Sequence, residues 1–471
     1  MRMMKITFIG HACILVQANG LNILSDPWWT GPCFGVQWWI FPKPKTEILD
    51  GRQIDYIYIS HGHEDHFHKG TLSRFSRRTI VLVSSTLPEL AETIKQMGFP
   101  VQLIDPLKVV DLGKEARVRI VPTHGGDTLM VIDDGKEICV NGNDALPAAP
   151  LPIRESVIAQ LLQWYSRVDY LFCSDGVASH FPNCYRIPGK DRVATAIKRQ
   201  HLATTTWCLT VARFNGGVKF AFPFASSVTF LEDGLFELNK AVHNTERATN
   251  LFGEMFPNSP TRVVDMAPGF SIGEGSIAEA EDVRRSPVRN TDIRALYAKD
   301  IERMNQYSGP TRAQVEALYD TLKSNISRRR EHLEGFPGDY LLAIELRHSA
   351  HHFQITKRGK NIQVEMVDQI SSDAEVILTT RANYLEHCLK KLYGHEILRV
   401  GSGCRISYAN RKLLPRRLHL ELFDAIICAD NPVAKRYGGL KYEFKQAVKK
   451  LLGMKEPDLY DLEEWTIWEQ R

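Results

Sequence analysis

From Met4 to about Thr229, short apolar runs alternate with turn residues. KITFIG, CILVQA, NILSD, YIYIS, TIVLVSS, VQLID, VRIVPT, TLMVID, EICVNG, YLFCSD and VKFAFPF have the length of strands, and several alternate apolar with polar positions. TLPELAETIKQMG and RVATAIKRQHLATTTWCLTVARF instead repeat apolar residues at the helical period, the first being stopped by Gly98 and Pro100. Strands in series with helices between them predict a layered α/β architecture in which helices cover sheets. The pattern then breaks. Residues 257–292 are rich in Pro, Gly and Ser and afterwards in charge, which predicts a linker or surface arm, and a helical pattern follows to about His332. From Asp339 the strand-like YLLAIELR, HHFQITKRGKNIQVEMV and AEVILTT lead into a helix, RANYLEHCLKKLYG, and then LRVGSGCRISY. The expected organisation is therefore a large α/β domain over 1–256, a linker arm and helical segment over 257–338, and a small α+β domain over 339–471.

Length agrees with this division, since 471 residues exceed what one ordinary core accommodates. Hydrophobic residues at 44% and charged residues at 24% are the balance of a soluble globular protein, and no apolar run is long enough to span a bilayer. The N-terminal MRMMKITFIGHACILV alternates like a first strand and lacks the apolar core and cleavage site of a secretory signal, so a cytoplasmic protein is expected. The nine cysteines stand singly with no C-x-x-C pair, which predicts reduced thiols and argues against cysteine-bound zinc or an iron–sulfur centre. A net charge of +4 gives no electrostatic case for nucleic acid, and the basic runs Ser327–Arg330 and Arg411–Arg417 read as solvated faces.

The chemistry concentrates in SHGHEDHFHKG, Ser60 to Gly70, which stands directly behind the strand-like IDYIYI. His61, His63, Asp65 and His66 form H-x-H-x-D-H. Two histidines two apart can point the same way while the adjacent Asp-His pair turns toward a second position, so the spacing supplies two metal sites rather than one. Imidazole and carboxylate without thiolate suit zinc, iron or manganese. A solvated polar turn would carry isolated histidines, not this density.

This loop resembles the signature of the metallo-β-lactamase-fold superfamily, and the resemblance implies a four-layer αββα sandwich. It further implies that Asp26, in NILSDPWW, braces the metal loop, that His124, in VRIVPTHGG, is the next histidine ligand, and that Asp144, in EICVNGNDA, bridges both metals. The aromatic run SDPWWTGPCFGVQWWIFPKP, together with CVNGNDA, FCSDGVASHFP, KFAFPFASSVTF and MAPGFSIGEG, is similar to the corresponding region of CMP-N-acetylneuraminate hydroxylases over about residues 4–275. The similarity does not extend to a Rieske centre, because no C-x-H and C-x-x-H pair is present. One departure concerns the histidine that superfamily members usually carry after a strand and proline: here Phe224 and Ala225 follow Pro223. His180, His243 or Asp175 are candidates to replace it, each equally well placed for a supporting role. His11, in IGHACILV, matches a histidine of the first hairpin in lactonase-like members and is a further candidate. His68 could serve proton transfer at the cleft mouth. Trp28, Trp29, Trp38 and Trp39 are expected to form a packed wall or lid. In the C-terminal part, the order of strands, turn at Gly359 and helix resembles the sterol-carrier type of domain.

The implied ligand set places His61, His63 and His124 on one ion and Asp65, His66 and Asp144 on the other, with Asp65, His66 and Asp144 as the catalytic group. Two divalent ions, zinc first with iron or manganese as alternatives, would hold a bridging water whose pKa zinc can lower from about 15.7 to about 7. Hydrolysis of a small ester, lactone, amide or phosphoester follows as the expected reaction, with Lys43, Lys45 and Lys69 as candidates to attract an anionic substrate. Two irons in the same ligands would instead support hydroxylation or another oxidation, and would require an electron-transfer partner. A non-catalytic metal-binding scaffold, prompted by Ala225, is the third reading. Oligomeric state is not legible in the sequence.

Overall fold

The computed structural model describes residues 4–106, 108–176, 178, 181–186, 191–243, 248–273, 290–334, 339–391, 394–398, 400–408 and 426–427. The chain forms two compact units. Of the described residues, the first contains those up to Gly176 and from Ile197 to Tyr297; the second contains those from Ala178 to Ala196 and from Ala298 onward.

Two seven-stranded sheets build the first unit. Across one lie, in order, β17 (Ser271–Gly273), β1 (Lys5–Gly10), β2 (Cys13–Ala18), β3 (Leu21–Ser25), β5 (Tyr56–Tyr58), β6 (Ile80–Ser84) and β7 (Val101–Ile104). Across the other lie β16 (Arg262–Val263), β14 (Val218–Phe224), β12 (Val168–Ser174), β11 (Ile138–Asn143), β10 (Thr128–Asp133), β9 (Arg117–Pro122) and β8 (Val110–Asp111). A small ribbon pairs β4 (Trp39–Ile40) with β15 (Val228–Thr229).

Alternation along these strands decides the layers. Phe8, Ile14 and Tyr58 from the first sheet and Ile120, Met130, Phe172 and Phe222 from the second bury their side chains between the sheets. Phe172 and Phe222 stack there with ring centroids 4.4 Å apart. The neighbouring positions face outward: Leu15, Ile57 and Val83 pack under α1 (Lys69–Leu72) and α2 (Pro88–Gln96). Leu129, Val131, Leu171 and Ala221 pack under α3 (Leu151–Trp164) and α4 (Arg192–Ala212) through Leu161, Trp207 and Val211. The outcome is an αββα sandwich, as the alternating pattern and the family resemblance led one to expect.

The expected linker is partly strand. Arg262–Val263 and Ser271–Gly273 pair as edges of the two sheets, β16 on β14 and β17 on β1. Such two- and three-residue strands leave no periodic trace, and Gly273 shows what the edge demands. Its φ is +128° and a Cβ there would lie 2.0 Å from the Met4 carbonyl oxygen, so only glycine admits this approach. Most of the remaining arm lies outside the described residues.

The second unit holds the sheet β13 (Tyr185–Arg186), β22 (Cys404–Tyr408), β21 (Val376–Thr380), β18 (Tyr340–Leu346), β19 (His352–Arg358), β20 (Asn361–Val367). Residues 178–196, which interrupt the first unit in sequence, thereby add an edge strand to the second. The eight described cysteines form no disulfide. Among the described residues no helix is long and apolar enough to cross a membrane.

Candidate metal centre

The centre lies where β3 and β5, parallel neighbours, run out at their C-terminal ends. Asp26 follows β3 with φ +37°, a left-handed conformation that Asp tolerates, and its backbone N–H donates to the Tyr58 carbonyl at 2.9 Å. This turn aims the carboxylate under the loop after β5. Asp26 Oδ1 accepts from the Ser60 N–H at 2.8 Å; Oδ2 accepts from the Ser60 hydroxyl at 2.7 Å and meets His66 Nδ1 at 2.9 Å. Thr128, at the start of β10, donates its hydroxyl to the Ser60 carbonyl at 2.7 Å. The histidine loop is thus tied to both sheets.

Two ligand groups result. His61, His63 and Asp144 bring one ligand atom each within 4.8 Å of one another, and so do His11, Asp65 and His66. Metal–nitrogen bonds of about 2.0–2.1 Å set ligand atoms about 3–4 Å apart, a spacing these groups can reach with small side-chain adjustments. His66 stands between the groups, its Nε2 3.5 Å from Asp65 Oδ2 and 3.4 Å from Asp144 Oδ2. His66 Nε2 and Asp144 Oδ1 are buried without a hydrogen-bond partner, as is His11 Nδ1. Unsatisfied buried atoms of this kind are costly, and a cation between the two groups would satisfy those of His66 and Asp144. The donor set therefore fits two ions of the imidazole- and carboxylate-binding type.

The turn between β9 and β10 behaves differently from expectation in detail. Asp127 N–H donates to the His124 carbonyl at 3.1 Å and Thr123 N–H to that of Asp127 at 2.9 Å, closing a tight turn around Gly125 and Gly126. His124 is on its exposed side and belongs to neither ligand group. Asp127 is on the site side, with Oδ1 3.9 Å from His61 Nε2. Burial and the neighbouring Asp144 push its carboxyl up to about 6. Sequence reasoning missed Asp127. The signal was present, since an acid three residues after a histidine across two glycines lies on the same tight turn.

The other candidates divide. Asp175 is buried at the end of β12, where its carbonyl accepts from Gln200 at 2.7 Å, and it enters neither group. His243 packs edge-on against Phe41, 5.5 Å between centroids, likewise outside both groups. His180 lies outside the described residues. His68 caps α1, its Nδ1 accepting from the Thr71 N–H at 3.1 Å. Trp28, Trp38 and Trp39 are buried; Trp28 packs on His11 at 5.1 Å and Phe34 on His63 at 6.4 Å, a wall behind the histidines. Lys45 pairs with Glu47, and Lys69 lies over the Phe67 ring.

Without metal the cluster stores a proton. Burial works against charge on His66, but Asp65 and Asp144 outweigh it and hold the imidazolium well above its ordinary range. Burial would raise Asp65, yet His66 and His11 keep it well below the carboxylate range. Burial, reinforced by His66 and His63, keeps His61 neutral. Metal must therefore displace the His66 proton. As pH falls below the raised His66 pKa, the metal-free protein should bind metal about tenfold more weakly per pH unit for this one proton. Calorimetric titration in buffers of differing ionisation enthalpy counts the proton released; none released would contradict this charge state.

A family model described as a beta-lactamase superfamily domain matches residues 5–142. A Mycolicibacterium smegmatis protein named for a Rieske 2Fe-2S iron–sulfur centre is 26% identical over 251 residues, 50% of this chain and 46% of that protein. The cytidine monophosphate-N-acetylneuraminic acid hydroxylase of Asterias rubens is 32% identical over 124 residues, 25% of this chain and 19% of the hydroxylase. The chain thus spans less than half the length of these curated relatives. Among solved structures, CmlA, a diiron β-hydroxylase from Streptomyces venezuelae, is 18% identical with a TM-score of 0.38, covering 57% of this chain and 54% of its own.

Proposed function

We propose, for a chain whose residues 5–142 match the model of a beta-lactamase superfamily domain, that the first unit is a dinuclear metal-dependent hydrolase of a small, anionic ester, lactone or phosphoester. The observation that carries this reading is the meeting of two buried His/Asp groups with ligand atoms left unsatisfied at His66 and Asp144. His61, His63 and Asp144 would hold one ion and Asp65 and His66 the other, with Asp144 facing both; the turn at 123–127 would contribute Asp127 or a reoriented His124. When bound, two divalent ions acidify water and polarise a carbonyl or phosphoryl oxygen. The chain's own part is to orient and exclude. Asp26 and Ser60 fix the rings of His61 and His66, and the Trp28 and Phe34 wall keeps bulk water from their far side. Hydrolysis needs only water as co-reactant, which favours it over a reaction that must be supplied with electrons.

The carboxylates Asp65, Asp127 and Asp144 around the histidines favour a second reading, a diiron oxygen-using hydroxylase, and the relatives named as a Rieske protein and a hydroxylase support it. Metal analysis of the purified protein separates the two. The hydrolase reading expects about two equivalents of zinc and turnover of phosphoester or lactone substrates. Iron with a visible absorption band and oxygen consumption in the presence of a reductant would sink it in favour of the second.

A further inference from the structure

We infer that His11 supplies an imidazole ligand to the second ion, in the place that the family resemblance leaves empty at Ala225; the inference rests on the dinuclear reading above. The two positions are neighbours in space. The Ala225 N–H donates to the His11 carbonyl at 3.2 Å, so the end of β14 and the β1–β2 turn meet backbone to backbone. An alanine methyl cannot ligate. The neighbouring turn presents an imidazole instead, with His11 Nε2 3.0 Å from Asp65 Oδ2 and in one group with Asp65 and His66.

Three features separate His11 from an ordinary core histidine. It is 1% exposed, yet its Nδ1 has no hydrogen-bond partner. Its backbone is held at φ +50°, a conformation that a histidine adopts only where the surrounding structure fixes it. Its ring is clamped edge-on by the buried Trp28 at 5.1 Å and 84°, which fixes where Nε2 points without using either nitrogen. The left-handed turn and the aromatic clamp together hold Nε2 against the carboxylate of Asp65, while Nδ1 on the far side of the ring has no partner.

His11→Asn tests this, because Asn tolerates the left-handed turn and its amide can still reach a hydrogen-bond partner while the imidazole is gone. The metal content of the purified variant, read by mass spectrometry, is expected to fall from about two equivalents to about one. Adding Ala225→His in the same chain should restore the second equivalent, a rescue that a purely structural role for His11 would not produce. Two equivalents retained in His11→Asn overturn the inference while leaving the dinuclear reading standing; a wild type with no bound metal sinks that reading first. Should the variant fail to fold, anomalous density from metal-soaked wild-type crystals decides. An ion within about 2.2 Å of His11 Nε2 supports ligation, and one beyond that range with His11 bonded only to Asp65 overturns it.

Discussion

A protein carrying Asp144→Ala is expected to leave purification with less than about a tenth of the wild-type metal, and with no measurable turnover of any substrate the wild type accepts. The loss exceeds the roughly 10–100-fold cost in affinity of removing an outer partner, because Asp144 faces both groups. It shares one group with His61 and His63, and its Oδ2 is 3.4 Å from the His66 ring that belongs to the other. The fold should survive. The Asp144 side chain keeps 22% of its surface, and its removal relieves a buried oxygen without a partner, so circular dichroism and melting should change little. Metal equivalents and the melting curve, read together on one sample, check this; a folded Asp144→Ala protein with two tightly bound ions would remove Asp144 from the site.

Much of the sandwich was legible because its strands bury opposite faces in different layers. In TLMVID, Leu129 and Val131 meet the helices while Met130 and Ile132 meet the other sheet, so all four central positions are apolar for a local reason. The helix Leu151–Trp164 was not foreseen. Its approach, PAAPLP, carries three prolines, yet proline fits the first helical positions, where no N–H is needed. The edge strands at 262–273 are too short for any periodicity. The histidine loop announced itself by density, whereas Asp127 and the apposition of His11 with Ala225 depend on how turns are folded and which chain segments meet. Those are tertiary facts. Motif spacing can name a residue type, but a tight turn decides whether His124 or the acid three residues later lies on the side of His61.

Asp26→Asn should cost both stability and the second ion. The wild-type carboxylate accepts from the Ser60 N–H and hydroxyl and from His66 Nδ1, all in a fully buried setting. Asn preserves the left-handed backbone at this position, so the effect reports the carboxylate and not the turn. An amide has one acceptor and one donor end. If its oxygen stays on Ser60, its NH₂ faces His66 Nδ1, which must then accept, moving the ring proton to Nε2 where it blocks the metal. If the amide turns round, the Ser60 N–H is left buried against a donor. Breaking a buried pair of this kind costs about 3–5 kcal/mol, and at about 2–4 °C per kcal/mol the melting temperature should drop by roughly 10 °C. Metal titration should show affinity for the ion on His66 weakened at least 10–100-fold while the ion on His61 and His63 binds nearly as before. Equal weakening of both ions would mean that Asp26 positions the whole loop through Ser60 and not the His66 tautomer. Unchanged binding of both would make Asp26 a brace for the fold alone.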